Sequence, residues 1–268
     1  YGDHRDLHSF PTRRSSDLSH GHGAAAIRAA QFMQALRTLT NEIETDLAAL
    51  HVYASRAAGA AATTPFGTAN DYTAASLTRK ILADNGAPMS DLQLVVDTSA
   101  GANIRGKQAA AADAGSDSIL RQGVLLDING MAVRESAQVA SFTAGSFSAG
   151  TLTSAVRAVG STSLVTTADY TAGLGAGDII TLAHESNAHA YVITAVAAGS
   201  ITIQEPGLRT ATAATGTVAI TKIATSRRNM GFHRSAIVLA QRMPALPDGG
   251  DAAVARETIT DPRTGMSF

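Results

Sequence analysis

From Ala24 to about Ala58 apolar residues recur at three- and four-residue steps: Ile27, Met33, Leu36, Leu39, Ile43, Leu47 and Leu50. That spacing is one face of an amphipathic helix, with Ala filling most of the rest and Gly59 as the expected stop. At 1.5 Å per residue the helix would be roughly 50 Å long, so it is expected to lie across a surface or to form a backbone for other elements. Thr63-Thr64-Pro65-Phe66-Gly67 breaks the pattern. A second helix is predicted from Tyr72 to Asp84, ending at Asn85-Gly86. Asp91–Asp97 (DLQLVVD) reads as a short buried strand, and Ser99 to about Ala114 as a helix with a weak start. Within 119–135, two apolar runs, Val124-Leu125-Leu126 and Met131-Ala132-Val133, flank Asn129-Gly130, a hairpin-type turn signal.

The pattern changes at 141–226. This stretch is rich in Thr, Ser, Ala and Gly, and only Arg157, Asp169, Asp178, Glu185, Glu205, Arg209 and Lys222 are charged. Ser163–Thr167, Asp178–Ala183, Ala190–Val196, Ser200–Gln204 and Thr217–Ile223 read as short strands between Gly, Pro or Asn turns, a spacing that suits a small barrel or sandwich. Beyond it, Arg227–Arg242 reads as helical, Pro244 and Pro247 end it, and Thr258–Phe268 reads as extended. Helix and strand segments on both sides of a β module predict an α+β chain with an all-β domain inserted into a loop of its host.

Composition narrows the function classes. The 268 residues carry 21 Lys and Arg against 22 Asp and Glu, a net charge of −1, so there is no basic footprint for specific nucleic-acid binding. The absence of Cys removes disulfides, thiol nucleophiles and thiolate metal sites. No apolar run is long enough to span a bilayer, and Trp is absent. Tyr1–Leu18 (YGDHRDLHSFPTRRSSDL) resembles the in-frame translation of a sequencing adapter and is set apart as a non-native segment. The natural chain is then expected to enter near Ser19 and to be a fragment, cut at both ends.

Several motifs invite a chemical reading. Gly101-Ala102-Asn103-Ile104-Arg105-Gly106-Lys107 has the Gly-x4-Gly-Lys core of a phosphate-binding loop between a predicted strand and a predicted helix, but Gln108 stands where a magnesium-binding hydroxyl is needed. Gly21-His22-Gly23-Ala24-Ala25-Ala26 fits a dinucleotide fingerprint without a preceding strand. His184-Glu185-Ser186-Asn187-Ala188-His189 resembles a zinc-protease motif with one residue too many, since five-residue spacing turns the second His off the shared helical face. His20 and His22 lack a third ligand nearby, and His233 reads as a hydrogen-bonded histidine at the edge of a helical core. No catalytic, cofactor-binding or metal-ligating residue is assigned, no cofactor is expected, and the chain is read as a non-enzyme.

Asn229-Met230-Gly231-Phe232-His233-Arg234-Ser235-Ala236-Ile237-Val238-Leu239-Ala240, then Leu246-Pro247-Asp248-Gly249-Gly250-Asp251-Ala252-Ala253 and Thr260–Phe268 (TDPRTGMSF), follow one another in an order that resembles tailed-phage major capsid (coat) proteins of the P-twenty-two type. Asp91–Gly106 (DLQLVVDTSAGANIRG) and Arg134-Glu135-Ser136 fit the same family, and the resemblance covers about Ala24 to Phe268. It implies a Hong-Kong-type (HK-ninety-seven) capsid fold. Residues 19–67 would carry the spine helix of the peripheral domain, 68–140 the first part of the axial and peripheral domains, 141–226 the inserted domain, and 227–268 the return segment. It also implies a structural subunit of an icosahedral head, located in the virion and assembled in the bacterial cytoplasm. The implied partners are further copies in hexamers and pentamers, scaffolding and portal proteins, and packaged DNA held non-specifically, with no membrane. The alternatives are a nucleotide-binding enzyme using Gly101–Lys107 and a surface adhesion module with the insert as its binding domain.

Overall fold

A computed structural model of the chain describes residues 24–59, 63–68, 71–108, 121–185, 189–213 and 215–240. Tyr1–Leu18, Pro244, Pro247 and Thr258–Phe268 lie outside them. The chain divides into two compact units, residues Tyr1–Ile43 with Ala240–Phe268, and Glu44–Leu239. It is mixed α and β.

In the first unit the described residues are helical, apart from Ala240, which is in no regular element. The helical residues belong to α1 (Ala24–Ala49), whose last residues fall in the second unit. The sequence places the end of this helix near Ala58, but the helix stops nine residues earlier. A 3-10 turn follows (Leu50–Tyr53), and Arg56–Ala57 form a two-residue strand, β1. The reason is tertiary: Arg56 pairs with Tyr191 and Ala57 with Ala190 on a strand far along the chain, and the Arg56 side chain is buried. A long-range pairing that buries side chains outweighs the few tenths of a kcal/mol per residue that separate ordinary helix propensities.

Within the second unit, α2 (Thr73–Asp84) begins where the Asp71 carboxylate accepts from the Thr73 amide (2.8 Å) and ends at Asn85-Gly86, with Gly86 at φ +76°. β2 (Leu92–Val96) buries Leu92, Leu94 and Val96 on one face. Asp97 then caps α3 (Thr98–Lys107), its carboxylate accepting from the Ser99 amide at 3.1 Å. Asn129 and Gly130, both at positive φ, turn the chain between the bridged pair Ile128 and Met131, but residues 124–127 form no strand. β3 (Met131–Glu135) instead lies parallel to β2, and β12 (Met230–His233) lies antiparallel on β2's other side, giving the order β12-β2-β3. The core of this layer is Phe66, Ala75, Leu92, Leu94, Val96 and Ile104 with their neighbours.

β12 corrects the helix predicted over Arg227–Arg242. A short apolar run suits either element, and here it completes a sheet. Gly231 is needed because a Cβ there would run into Thr78 of α2. Among the described residues a 3-10 turn follows, at Arg234–Ala236, and residues 241–242 of the predicted helix lie outside them.

Between β3 and β12 the chain leaves through β4 (Ser141–Phe142) and returns through β11 (Ser226–Arg227), which pair antiparallel, Phe142 with Ser226. The excursion contains β5 (Gly150–Leu152), β6 (Ser163–Val165), β7 (Ile179–Leu182), β8 (Ala190–Ala197), β9 (Ser200–Ile203) and β10 (Val218–Lys222). Their order is β5-β10-β7-β8-β9-β6, and a bridge between Leu152 and Thr166 joins the two ends. The sheet therefore closes into a six-stranded barrel. Leu152, Leu164, Ile180, Leu182, Tyr191, Ile193, Ile201, Ile203, Leu208 and Ile220 fill its interior. β8 buries Ala190, Tyr191, Val192 and Ile193 in succession, because both of its faces are covered: Tyr191 and Ile193 point into the barrel, while Ala190 and Val192 pack with Ile179, Ile223 and Ala57 of the strap strand β1.

Candidate functional site

The Gly101–Lys107 segment is helix, not a phosphate-cradling loop. The Gly101 amide donates to the Asp97 carbonyl at 2.9 Å and so is spent on the helix. Gly101 is small because the Glu135 carboxylate, paired with Arg105 at 2.5 Å, lies against it, and a Cβ would strike it. Lys107 Nζ donates to the Thr68 carbonyl and to that of Asp71 (2.7 Å), and sits 4.7 Å from the Tyr72 ring centroid. It ties α3 to the loop before α2. Gln108 is buried, and with its amide turned to suit its neighbours it donates to the Val124 carbonyl (3.0 Å) and accepts from the Leu126 amide (3.1 Å).

His20, His22 and Gly21–Gly23 lie outside the described residues, while Ala24–Ala26 open α1. His233 closes β12 and caps the 3-10 turn, its Nδ1 accepting from the Ser235 amide (3.3 Å) with the Ser235 hydroxyl 2.7 Å away.

His184, Glu185 and His189 flank the β7–β8 connection, as the reading of a polar turn between strands expects, and they meet partners that sequence reasoning had not singled out. The structure gathers Arg56 of β1, Lys80, Asp84 and Asn85 of the α2 C-terminus, Arg209 of the β9–β10 connection and Tyr191 of β8 into one polar seam. Arg56 Nη1 lies 3.1 Å from His189 Nδ1, while Nη2 donates to Asn85 Oδ1 (3.3 Å) and stands 3.7 Å from Asp84 Oδ2. The same Asp84 oxygen takes Lys80 at 2.6 Å and Arg209 at 3.8 Å. Tyr191 donates its hydroxyl hydrogen to Glu185 Oε2 (2.6 Å) and accepts from the Arg209 amide (2.9 Å), and Glu185 Oε1 accepts from the Thr210 amide (3.1 Å).

The electrostatics follow from this packing. Desolvation lowers the Arg56 pKa, with Arg209 adding to it. Burial also holds His189 below the ordinary histidine value against the pull of Glu185, with the nearby Arg56, Lys80 and Arg209 adding to the lowering. The Lys80 hydrogen bond keeps Asp84 below the usual carboxylate range. Burial and the hydrogen bond to Glu185 push the Tyr191 hydroxyl well up, so it stays a donor. What the arrangement does is mechanical. It fastens the strap and α2 to the barrel wall through hydrogen bonds and ion pairs.

The neck formed by the β4–β11 pair is fastened too. Arg227 donates from Nη1 to the Val139 carbonyl (2.9 Å) and its Nε stands 3.5 Å from Asp97, while the Asp97 amide donates to Asn229 Oδ1 (2.8 Å). The Phe142 ring lies between His51, edge-on at 5.1 Å, and the buried Arg228 guanidinium at 5.2 Å. A cavity of about 1080 Å³ lies between strap, α2 and sheet, with Ile81, Leu94, Val192 and Phe232 in its apolar wall. Among the described residues no three His, Asp or Glu side chains come together as a metal site, and no helix is long and apolar enough to cross a membrane.

No protein-family model matches the chain, and no curated protein matches it at a significant level.

Proposed function

We propose that the chain is a structural coat-protein subunit of an icosahedral phage head, with the Hong-Kong-type (HK-ninety-seven) fold and a β-barrel carried as an insertion. One observation supports this above the others. The two segments that resemble phage coat proteins, 91–106 and 229–240, are 132 residues apart in the pairing of Asp97 with Asn229, yet they are neighbouring strands of one sheet. The barrel leaves that layer and rejoins it through a single two-stranded neck. An insertion of this form leaves the host layer's pairing intact, which is what the resemblance requires of its flanks.

The polar groups fit a shell subunit in chemical terms. Those of the seam and neck are engaged in holding elements together, and near-zero net charge lets copies approach without mutual repulsion. A closed shell multiplies weak contacts by symmetry, so each interface can be modest. Hexamers and pentamers of the same chain, scaffolding and portal proteins, and non-specifically packaged DNA are the partners of this reading, and the virion is its location. The test is expression of the uninterrupted reading frame with its scaffolding partner, viewed by negative-stain microscopy. Closed shells of uniform size are expected; monomers alone would refute the proposal.

A further inference from the structure

The seam contains a contact whose direction depends on one proton. A guanidinium can only donate, so the 3.1 Å contact from Arg56 Nη1 makes His189 Nδ1 the acceptor and puts the imidazole proton on Nε2. The contact therefore exists only with neutral His189. A second proton would remove the acceptor and set an imidazolium against a buried arginine whose side chain is 1% exposed.

We propose that His189 is an acid-released latch: neutral, it holds the strap strand β1 on the barrel strand β8; protonated, it repels Arg56 and frees the strap. Arg56 is the side chain of β1 that hydrogen-bonds in the seam, Ala57 contributing only apolar contact; beside β1, Ser55 Oγ accepts from Asn85 at 2.8 Å. β1 is two residues long, so it has little backbone pairing to survive loss of its anchor. Release would leave the edge of β8 at 190–191 unpaired on that side.

The groups facing His189 decide whether the latch can work near neutral pH. β1 presents Arg56. α2 presents Lys80 and Asp84. The β7–β8 connection presents His184 and Glu185, the β9–β10 connection Arg209, and β8 itself Tyr191. Glu185 favours protonation, but both its oxygens already accept hydrogen bonds, from Tyr191 and from the Thr210 amide. The Asp84 carboxylate is taken up by Lys80 at 2.6 Å. Burial and three cations prevail, and His189 titrates below its ordinary 6.5. Away from Arg56 it titrates higher, toward the ordinary 6.5 of the unfolded chain. The latch is thus fully closed above about pH 6.5 and weakens as pH falls below that value. This inference does not depend on the coat-protein reading.

The test is amide hydrogen exchange on the full chain at pH 7.5 and 5.0, corrected for intrinsic exchange rates. In the unsubstituted protein the protection of residues 56–57 and 190–191 should fall on acidification, while Ile180 and Ile220 stay protected. His189→Asn offers Arg56 a carboxamide oxygen that does not titrate, and there the fall should vanish. An equal fall in His189→Asn, or none in the unsubstituted protein, overturns the proposal. An independent reading is the NMR titration of the His189 ring: a midpoint below 6.5 is expected, and one at or above 6.5 overturns the proposal without any variant.

Discussion

Tyr191→Phe isolates the polar part of the barrel's contact with the seam. Tyr191 is 0% exposed, so its ring contributes the same apolar burial in either form and only the hydroxyl is at stake. Its removal orphans two groups: Glu185 Oε2, on a side chain that is itself 0% exposed, and the Arg209 amide, bonded at 2.6 and 2.9 Å. A buried donor or acceptor left unsatisfied costs about 1–3 kcal/mol, more when charged. One charged and one neutral orphan together should cost roughly 3–4 kcal/mol. The opposing effect is hydration, because deletion of an oxygen can admit a water that rebonds both groups if about 10–15 Å³ becomes free. Urea unfolding followed by far-UV circular dichroism measures the balance. With a slope of about 2 kcal/mol/M, the midpoint should drop by roughly 1.5–2 M at unchanged slope. A loss under about 1 kcal/mol would mean that the hydroxyl is not the sole partner of these groups, and the seam's energetics would be refuted.

Other perturbations probe the remaining joints. Gly207→Ala should destabilise the barrel by more than about 1 kcal/mol, since φ is +77° and a Cβ would lie 2.5 Å from the Gly160 carbonyl oxygen and 2.7 Å from that of Ser161; an unchanged calorimetric melting temperature would count against it. Joining Phe142 to Ser226 with a short turn in place of 143–225 should leave the β12-β2-β3 sheet protected in hydrogen exchange, and loss of protection at Leu94 would show that the host layer depends on the barrel. Lys107→Ala should cost about 1–2 kcal/mol for two hydrogen bonds and a cation–π contact. The same substitution should leave titrations with magnesium-ATP unchanged, whereas a binding heat that depends on Lys107 would revive the phosphate-loop reading. His51 is held below 6.5 mainly by burial, with Arg228 adding to it against the pull of the Ala48 carbonyl. The unfolded chain therefore takes up its proton first, so stability is complete above about pH 6.5 and falls with acidification below it. His51→Gln should flatten that slope in urea titrations, and an unaltered slope would exclude His51 as its source.

Five strands of 141–226 (β6 to β10) were legible because each is a short apolar, β-branched run bounded by turn residues, a local signal that survives without knowledge of the partner. For these five the predicted and observed ends differ by two residues or fewer, whereas β4, β5 and β11, each two or three residues long, were not predicted. The C-terminus of α2 was legible for a similar reason, since Asn85-Gly86 acts on its own backbone. What failed was what distant residues decide. The end of α1 is set by the demand of β8 for a partner at 56–57, and Met230–His233 is a strand because β2 offers an edge. Neither demand leaves a trace in the local pattern.

The seam did leave a trace, although not as a motif. In a segment with so few charges, each charge had to be tolerated by the fold, and the structure shows how most of them are. Arg157 is 6% exposed and donates to Thr153, Ala155 and Val165 oxygens with no carboxylate among them. Asp178, 2% exposed, accepts from the Gly145 and Gly175 amides. Glu185, Arg209 and Lys222 are bonded to Tyr191, Asp84 and the Gly145 carbonyl respectively. Scarcity was thus a stronger pointer than spelling. Gly101–Lys107 matches a famous loop letter by letter, yet its glycine is explained by the Glu135 carboxylate against it and its lysine by two carbonyls. A spacing rule encodes chemistry only where the backbone is free to turn its amides toward a ligand, and an Asp97 cap followed by a helical turn commits those amides beforehand.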